Sequence, residues 1–131
     1  MKKTLLFAIA VVSAPLAIFA DIYVTPTGAG NKDGSSWANA FAGIQAAVDF
    51  VDAAVAADAN YPIPTIRVAD GTYSRVSITN DIALDVRSVN GAAATVIDGG
   101  GTNNCVAVIT GNYIYSQRPT ITGFKIGRAH V

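Results

Sequence analysis

Thr65-Ile66-Arg67-Val68-Ala69-Asp70-Gly71-Thr72-Tyr73 is the stretch at which the hydrophobic period of this chain changes. Residues 65–69 alternate polar and apolar, which sends successive side chains to opposite faces of a strand, and Asp70-Gly71 closes that strand as a turn. Upstream of Pro64 the period is helical. Phe41, Ile44, Val48, Val51 and Val55 recur at steps of three and four and form one apolar stripe. The spacing predicts an Ala-rich helix over about 37–58, with Ser35 or Ser36 as its N-cap. Asn60-Tyr61-Pro62-Ile63-Pro64 ends it, because proline cannot continue the hydrogen-bond ladder. Before the helix stands a loop dense in turn formers, Gly28 to Ser36, and before that a short strand, Ile22-Tyr23-Val24, that stops at Pro26.

Downstream the extended period persists. Val76-Ser77-Ile78, Ile82-Ala83-Leu84-Asp85-Val86, Thr95-Val96-Ile97, Val106-Ala107-Val108-Ile109 and Thr120-Ile121-Thr122 read as short strands. Asn80-Asp81, Asn90-Gly91, Asp98-Gly99-Gly100-Gly101 and Gly111-Asn112 punctuate them. Periodicity alone leaves a sandwich, a barrel and a solenoid open.

The first twenty residues stand apart. Lys2 and Lys3 precede an apolar run, Leu5 to Val12, and Ala17-Ile18-Phe19-Ala20 leads to Asp21. That is the pattern of a secretory signal with cleavage after Ala20, the alternatives being an uncleaved anchor or a buried helix. A membrane span needs about 20 apolar residues, more than this run supplies. The chain is 51% hydrophobic, but much of that weight lies in this segment and says nothing about the core. From Asp21 onward nine aspartates face seven lysines and arginines, a net charge of −2 with no basic stripe for a phosphate backbone. Nucleic acid is therefore not an expected partner, and membrane contact is expected only through the signal segment. Cys105 is the single cysteine, so no internal disulfide framework exists, and its apolar neighbours give it the character of a buried small hydrophobe.

Ile126-Gly127-Arg128-Ala129-His130-Val131 matches the translation of a common sequencing-library adapter, and the reading frame is expected to have run off the end of a DNA read into that adapter. His130 is the only histidine. Without it no Ser-His-Asp, Cys-His or histidine-zinc arrangement can be assembled.

The order of the segments is more informative than any one of them. An exported chain with Ile22-Tyr23-Val24, Asp33-Gly34-Ser35-Ser36-Trp37, an Ala-rich helix, Ile66 to Tyr73 and Val96-Ile97-Asp98-Gly99 resembles the N-termini of right-handed parallel β-helix proteins of the pectin-lyase-like class. Chlamydial polymorphic outer membrane proteins are distant relatives of that class. Ile121-Thr122-Gly123-Phe124-Lys125-Ile126 is similar to its recurring motif. The resemblance implies a mainly β fold: a right-handed parallel β-helix with an N-terminal strand and an amphipathic capping helix, incomplete at the C-terminus. It divides the chain into a signal peptide (1–20), an N-terminal cap (21–64), the first β-helix strands (65–125) and the adapter-derived tail (126–131). Trp37 and Phe41 would supply bulk at the lid of the stack. A helix docked on a small α+β sheet is the rival architecture. Repeat arrays need about three stacked units, so residues 21–125 alone are expected to unfold at low denaturant.

The function so implied is that of a non-catalytic surface or secreted protein, outer-surface, extracellular or periplasmic, contributing adhesion, surface coating or glycan contact. Its expected partners are an extracellular polysaccharide or a host or cell surface. The alternative is the N-terminal part of a polysaccharide lyase or hydrolase whose catalytic site lies further along. No catalytic, cofactor-binding or metal residue is assigned, and no cofactor is expected. Asn31 and Asp33 offer oxygen ligands to calcium but lack the acidic ladder of a dedicated loop, and turn hydrogen bonds are their expected role. Gly28-Ala29-Gly30 lacks the dinucleotide spacing. Asp70, Asp85 and Asp98 would need two carboxylates to converge for glycoside hydrolysis, and Asp-Gly is ordinary turn chemistry. Arg67, Arg75, Arg87 and Arg118 are expected as solvated strand-face charge. Tyr113 and Tyr115 flank Ile114 as a sugar-stacking pair or, the preferred role, as cover for a loop.

Overall fold

The computed structural model describes residues 21–79, 82–101, 106–108 (backbone) and 118–127. Residues 1–20, Asp81, Cys105, Tyr113, Tyr115 and His130 lie outside these. The protein is mainly sheet, built of short parallel strands with one α-helix. Ten strands run β1 (Ile22–Thr25), β2 (Phe41–Ala42), β3 (Thr65–Val68), β4 (Gly71–Ser74), β5 (Val76–Ile78), β6 (Asp85–Ser88), β7 (Thr95–Asp98), β8 (Val106–Val108), β9 (Thr120–Thr122) and β10 (Lys125–Gly127). The helix α1 spans Ile44–Ala57, and a 3-10 turn covers Trp37–Asn39.

Every strand pairing among the described residues is parallel. A first sheet has the order β2-β1-β3-β6-β9, a second β10-β7-β4, and a third pairs β5 with β8. The chain visits them in rotation: β3, β4 and β5 enter the first, second and third sheets, then β6, β7 and β8 do so again, and β9 and β10 begin another round. Partners in the first sheet lie 20 residues apart at Thr65 and Asp85, then 35 apart at Asp85 and Thr120. The strands keep register although the loops between them differ in length.

In-register parallel pairing stacks like on like. Ile22, Ile66, Val86 and Ile121 form one ladder on the inner face of the first sheet, and Val24 sits over Val68. Tyr73 and Ile97 pair in the second sheet, and Val76 and Ile78 project inward from the third. Ile66, Val68, Val86 and Ile97 are fully buried. Removing such a side chain from water stabilises by about 1.5–3 kcal/mol each, and these ladders are the core. The outer face of the first sheet carries charge. Arg67 pairs with Asp21, and Asp85 accepts from Arg87 (2.7 Å) and from the Thr120 hydroxyl (2.8 Å). These pairs are solvent-exposed and contribute little to stability.

The N-terminal cap departs from the sequence expectation. The predicted helix over 37–58 starts at Ile44 instead. Trp37–Asn39 forms a 3-10 turn, and Phe41–Ala42 is a strand beside β1, with Val24 opposite Phe41. Gly43, at φ 91°, lies outside the right-handed helical region and breaks what the apolar spacing joined. Neither serine caps α1. Ser36 precedes the 3-10 turn without a side-chain cap bond, and the N-cap of α1 is Gly43. The stripe survives from Ile44 onward, with Ile44, Ala47, Val48 and Val51 buried against the sheets and Val55 packed at their margin.

Gln45 fixes α1 to the third sheet. Its side-chain Nε2 donates to the Ser77 carbonyl (3.0 Å), and its Oε1 accepts the Ser77 N–H (2.7 Å). One amide thereby replaces a neighbouring strand at the edge of β5. Among the described residues no helix is long and apolar enough to cross a membrane.

Candidate functional site

Three short segments that follow sheet positions meet at one surface groove. Trp37 comes from the 3-10 turn, Ala69 and Asp70 from the exit of β3, and Val89 and Asn90 from the exit of β6. The Ala69 N–H donates to the Val24 carbonyl and the Val89 N–H to the Val68 carbonyl, both at 2.9 Å. The exits therefore stack as the strands do. The groove is shallow and open to solvent, with a volume of about 370 Å³.

Trp37 is the chain's single tryptophan and is 42% exposed. It does not seal the core, as its expected place at the lid required. Its ring meets Tyr23 edge to face, with centroids 4.7 Å apart, and that contact fixes the indole beside the groove. Phe41 is partly buried against the core and packed on Phe50 at 5.4 Å. Val89 adds a second exposed apolar surface to the groove. The polar component is a pair: Asn90 Nδ2 donates to Asp70 Oδ1 at 2.9 Å.

Tyr73 supports the groove from within. Its hydroxyl donates to the Ala69 carbonyl at 2.8 Å, which holds the turn that presents Asp70. Burial, assisted by the Asp70 charge, pushes the Tyr73 phenol well above its ordinary 10. The neutral phenol is the form that folds, so its contribution to stability is complete below pH 10. That contribution falls as pH rises from 10 towards the raised folded value, by up to about 1.4 kcal/mol per pH unit. Urea midpoints measured from pH 8 to 11 are expected to drop above pH 10, and Tyr73→Phe is expected to flatten that drop.

The other candidates serve the scaffold. Asp33 Oδ1 accepts from the Ser35 hydroxyl (2.6 Å) and the Ser35 N–H (2.9 Å), bonds that hold its carboxyl below the usual value. The Asn31 N–H donates to the Asn39 side chain, and the Gly28 N–H to the Thr25 hydroxyl. Asp98 accepts the Gly100 N–H in a turn. Of Asp70, Asp85 and Asp98, only Asp70 lines the groove; Asp85 is engaged on the outer face of the first sheet. Arg67 and Arg87 pair on that same face, Arg75 lines a separate hollow at the start of α1, and Arg118 is exposed before β9. Among the described residues no three His, Cys, Asp or Glu side chains cluster as a metal site.

Sequence reasoning missed the groove because its residues come from three loops and form no motif. The only available signal was the placement of Trp37 beside a turn-rich loop. Comparison with family models, with curated proteins and with solved structures finds no match to this chain.

Proposed function

We propose that residues 65–125 are the first turns of a right-handed parallel β-helix, of the pectin-lyase-like kind, with residues 21–64 as its N-terminal cap, in an exported surface or secreted protein that contacts glycan without cleaving it. The observation that carries this reading is the rotation of the chain through three all-parallel sheets in constant register. Parallel connections within one sheet are right-handed in about 98% of cases, which supplies the hand. The helix α1 supports it too, since an apolar stripe laid against one end of a stack covers surface that would otherwise meet water. A signal segment at residues 1–20 accounts for export.

The non-catalytic part of the reading is supported by the single carboxylate of the groove. Glycoside hydrolysis needs two carboxyl groups about 5–9 Å apart across one bond, and among the described residues the groove is lined by Asp70 alone. The test is incubation of the full protein with a panel of neutral and acidic extracellular polysaccharides. The expected result is retention on a polymer with no new reducing ends or unsaturated products. Release of such products would remove the non-catalytic reading, and retention on none of them would remove glycan contact.

A further inference from the structure

The geometry points to the Trp37 groove as a subsite for a neutral hexose-based glycan, a statement that rests on the glycan-contact reading above and narrows it. A pyranose offers an apolar face of C–H groups and a rim of hydroxyls. The exposed indole of Trp37 and the Val89 side chain suit the face. Asp70 and Asn90 suit the rim. A carboxylate only accepts, and with Oδ1 taking the Asn90 amide, Oδ2 remains to accept a sugar hydroxyl.

The sign of the charge selects the class of sugar. Among the described residues the groove is lined by one carboxylate and no cation. Arg67 and Arg87, the nearest arginines in sequence, are paired with Asp21 and Asp85 on the sheet face. A uronate would bring its own carboxylate towards Asp70 without a counter-charge, and a phosphate or sulfate ester would do the same. Neutral sugars incur no such repulsion. Because Asp70 and Asn90 come from successive strands of one sheet, the polar edge runs along the stacking direction, which suits a chain of sugars lying across the strands rather than a single ring.

A titration followed by emission from Trp37, the only tryptophan, tests this directly. Soluble neutral oligosaccharides (glucan, mannan and galactan series) are expected to give a saturable shift, and oligogalacturonides a much weaker one. By calorimetry, Trp37→Ala should bind roughly tenfold more weakly or not at all. Asp70→Lys should move preference towards the oligogalacturonides, a change that mere loss of structure would not produce. Circular dichroism of both variants checks that they fold, which the exposure of the two side chains favours. No saturable response to any neutral oligosaccharide, or a preference for oligogalacturonide in the unaltered protein, would overturn the assignment. If Trp37→Ala retains polymer as well as the unaltered protein does, the groove assignment falls while the glycan-contact function stands. If the soluble oligosaccharides bind but no polymer is retained, the groove stands and the broader function falls.

Discussion

Ile66→Asp is expected to leave no cooperative unfolding transition. Ile66 is fully buried in β3, between Ile22 and Val86 in the inner ladder of the first sheet. Removing its side chain forfeits burial and leaves a partly unfilled site, about 2–5 kcal/mol. The new carboxyl must then be either ionised in an apolar stack or neutral without a hydrogen-bond partner, which adds several kcal/mol more. Total stabilities of folded domains are about 5–15 kcal/mol. Far-UV circular dichroism against urea measures the outcome, with Ile66→Val as the control, expected to cost only about 0.5–1.5 kcal/mol. An Ile66→Asp variant that still unfolds cooperatively near the unaltered midpoint would mean that the inner ladder is not the core.

Gly34→Val has the second largest expected effect, and it acts on the loop between β1 and β2. Gly34 is buried at φ 77°, a conformation β-branched residues scarcely adopt, and a Cβ there would stand 2.5 Å from the Phe41 ring and 2.9 Å from Ile22. Backbone strain of about 1–2 kcal/mol and overpacking of about 1–3 kcal/mol combine. Gly34 also accepts from the Tyr23 N–H and donates to the Asn39 carbonyl, so the loop that carries Trp37 is tied through it. The urea midpoint should fall, and the emission of Trp37 should report a changed environment even where the sheets persist. Unchanged emission together with an unchanged midpoint would show that this close approach is unimportant.

Much of the strand order was legible because β-branched and apolar residues alternate where a chain is buried on one side. The strands at 65–68, 76–78, 95–98 and 120–122 all carry that pattern. Their number and spacing were harder to read, since pairing tolerates loops of unequal length between registered strands. Alternation also misled. Ile82 and Leu84 are both buried and read as part of a strand, yet Leu84 N–H closes a tight turn onto the Ile82 carbonyl, and β6 begins only at Asp85. Side-chain patterns record burial and say little about where backbone groups find partners. Gly71-Thr72-Tyr73-Ser74 illustrates the converse: Asp70-Gly71 reads as a turn, and Gly71 is also the first position of β4. The two-residue strand Phe41–Ala42 is too short to carry any period. The groove was illegible for a related reason, as Trp37, Asp70 and Asn90 become neighbours only once β1, β3 and β6 align.

The clasp between Gln45 and Ser77 closes one strand edge. With the β5 edge occupied by a side-chain amide, a second molecule cannot add a strand there without first displacing two hydrogen bonds. A single glutamine thus protects this strand from intermolecular pairing.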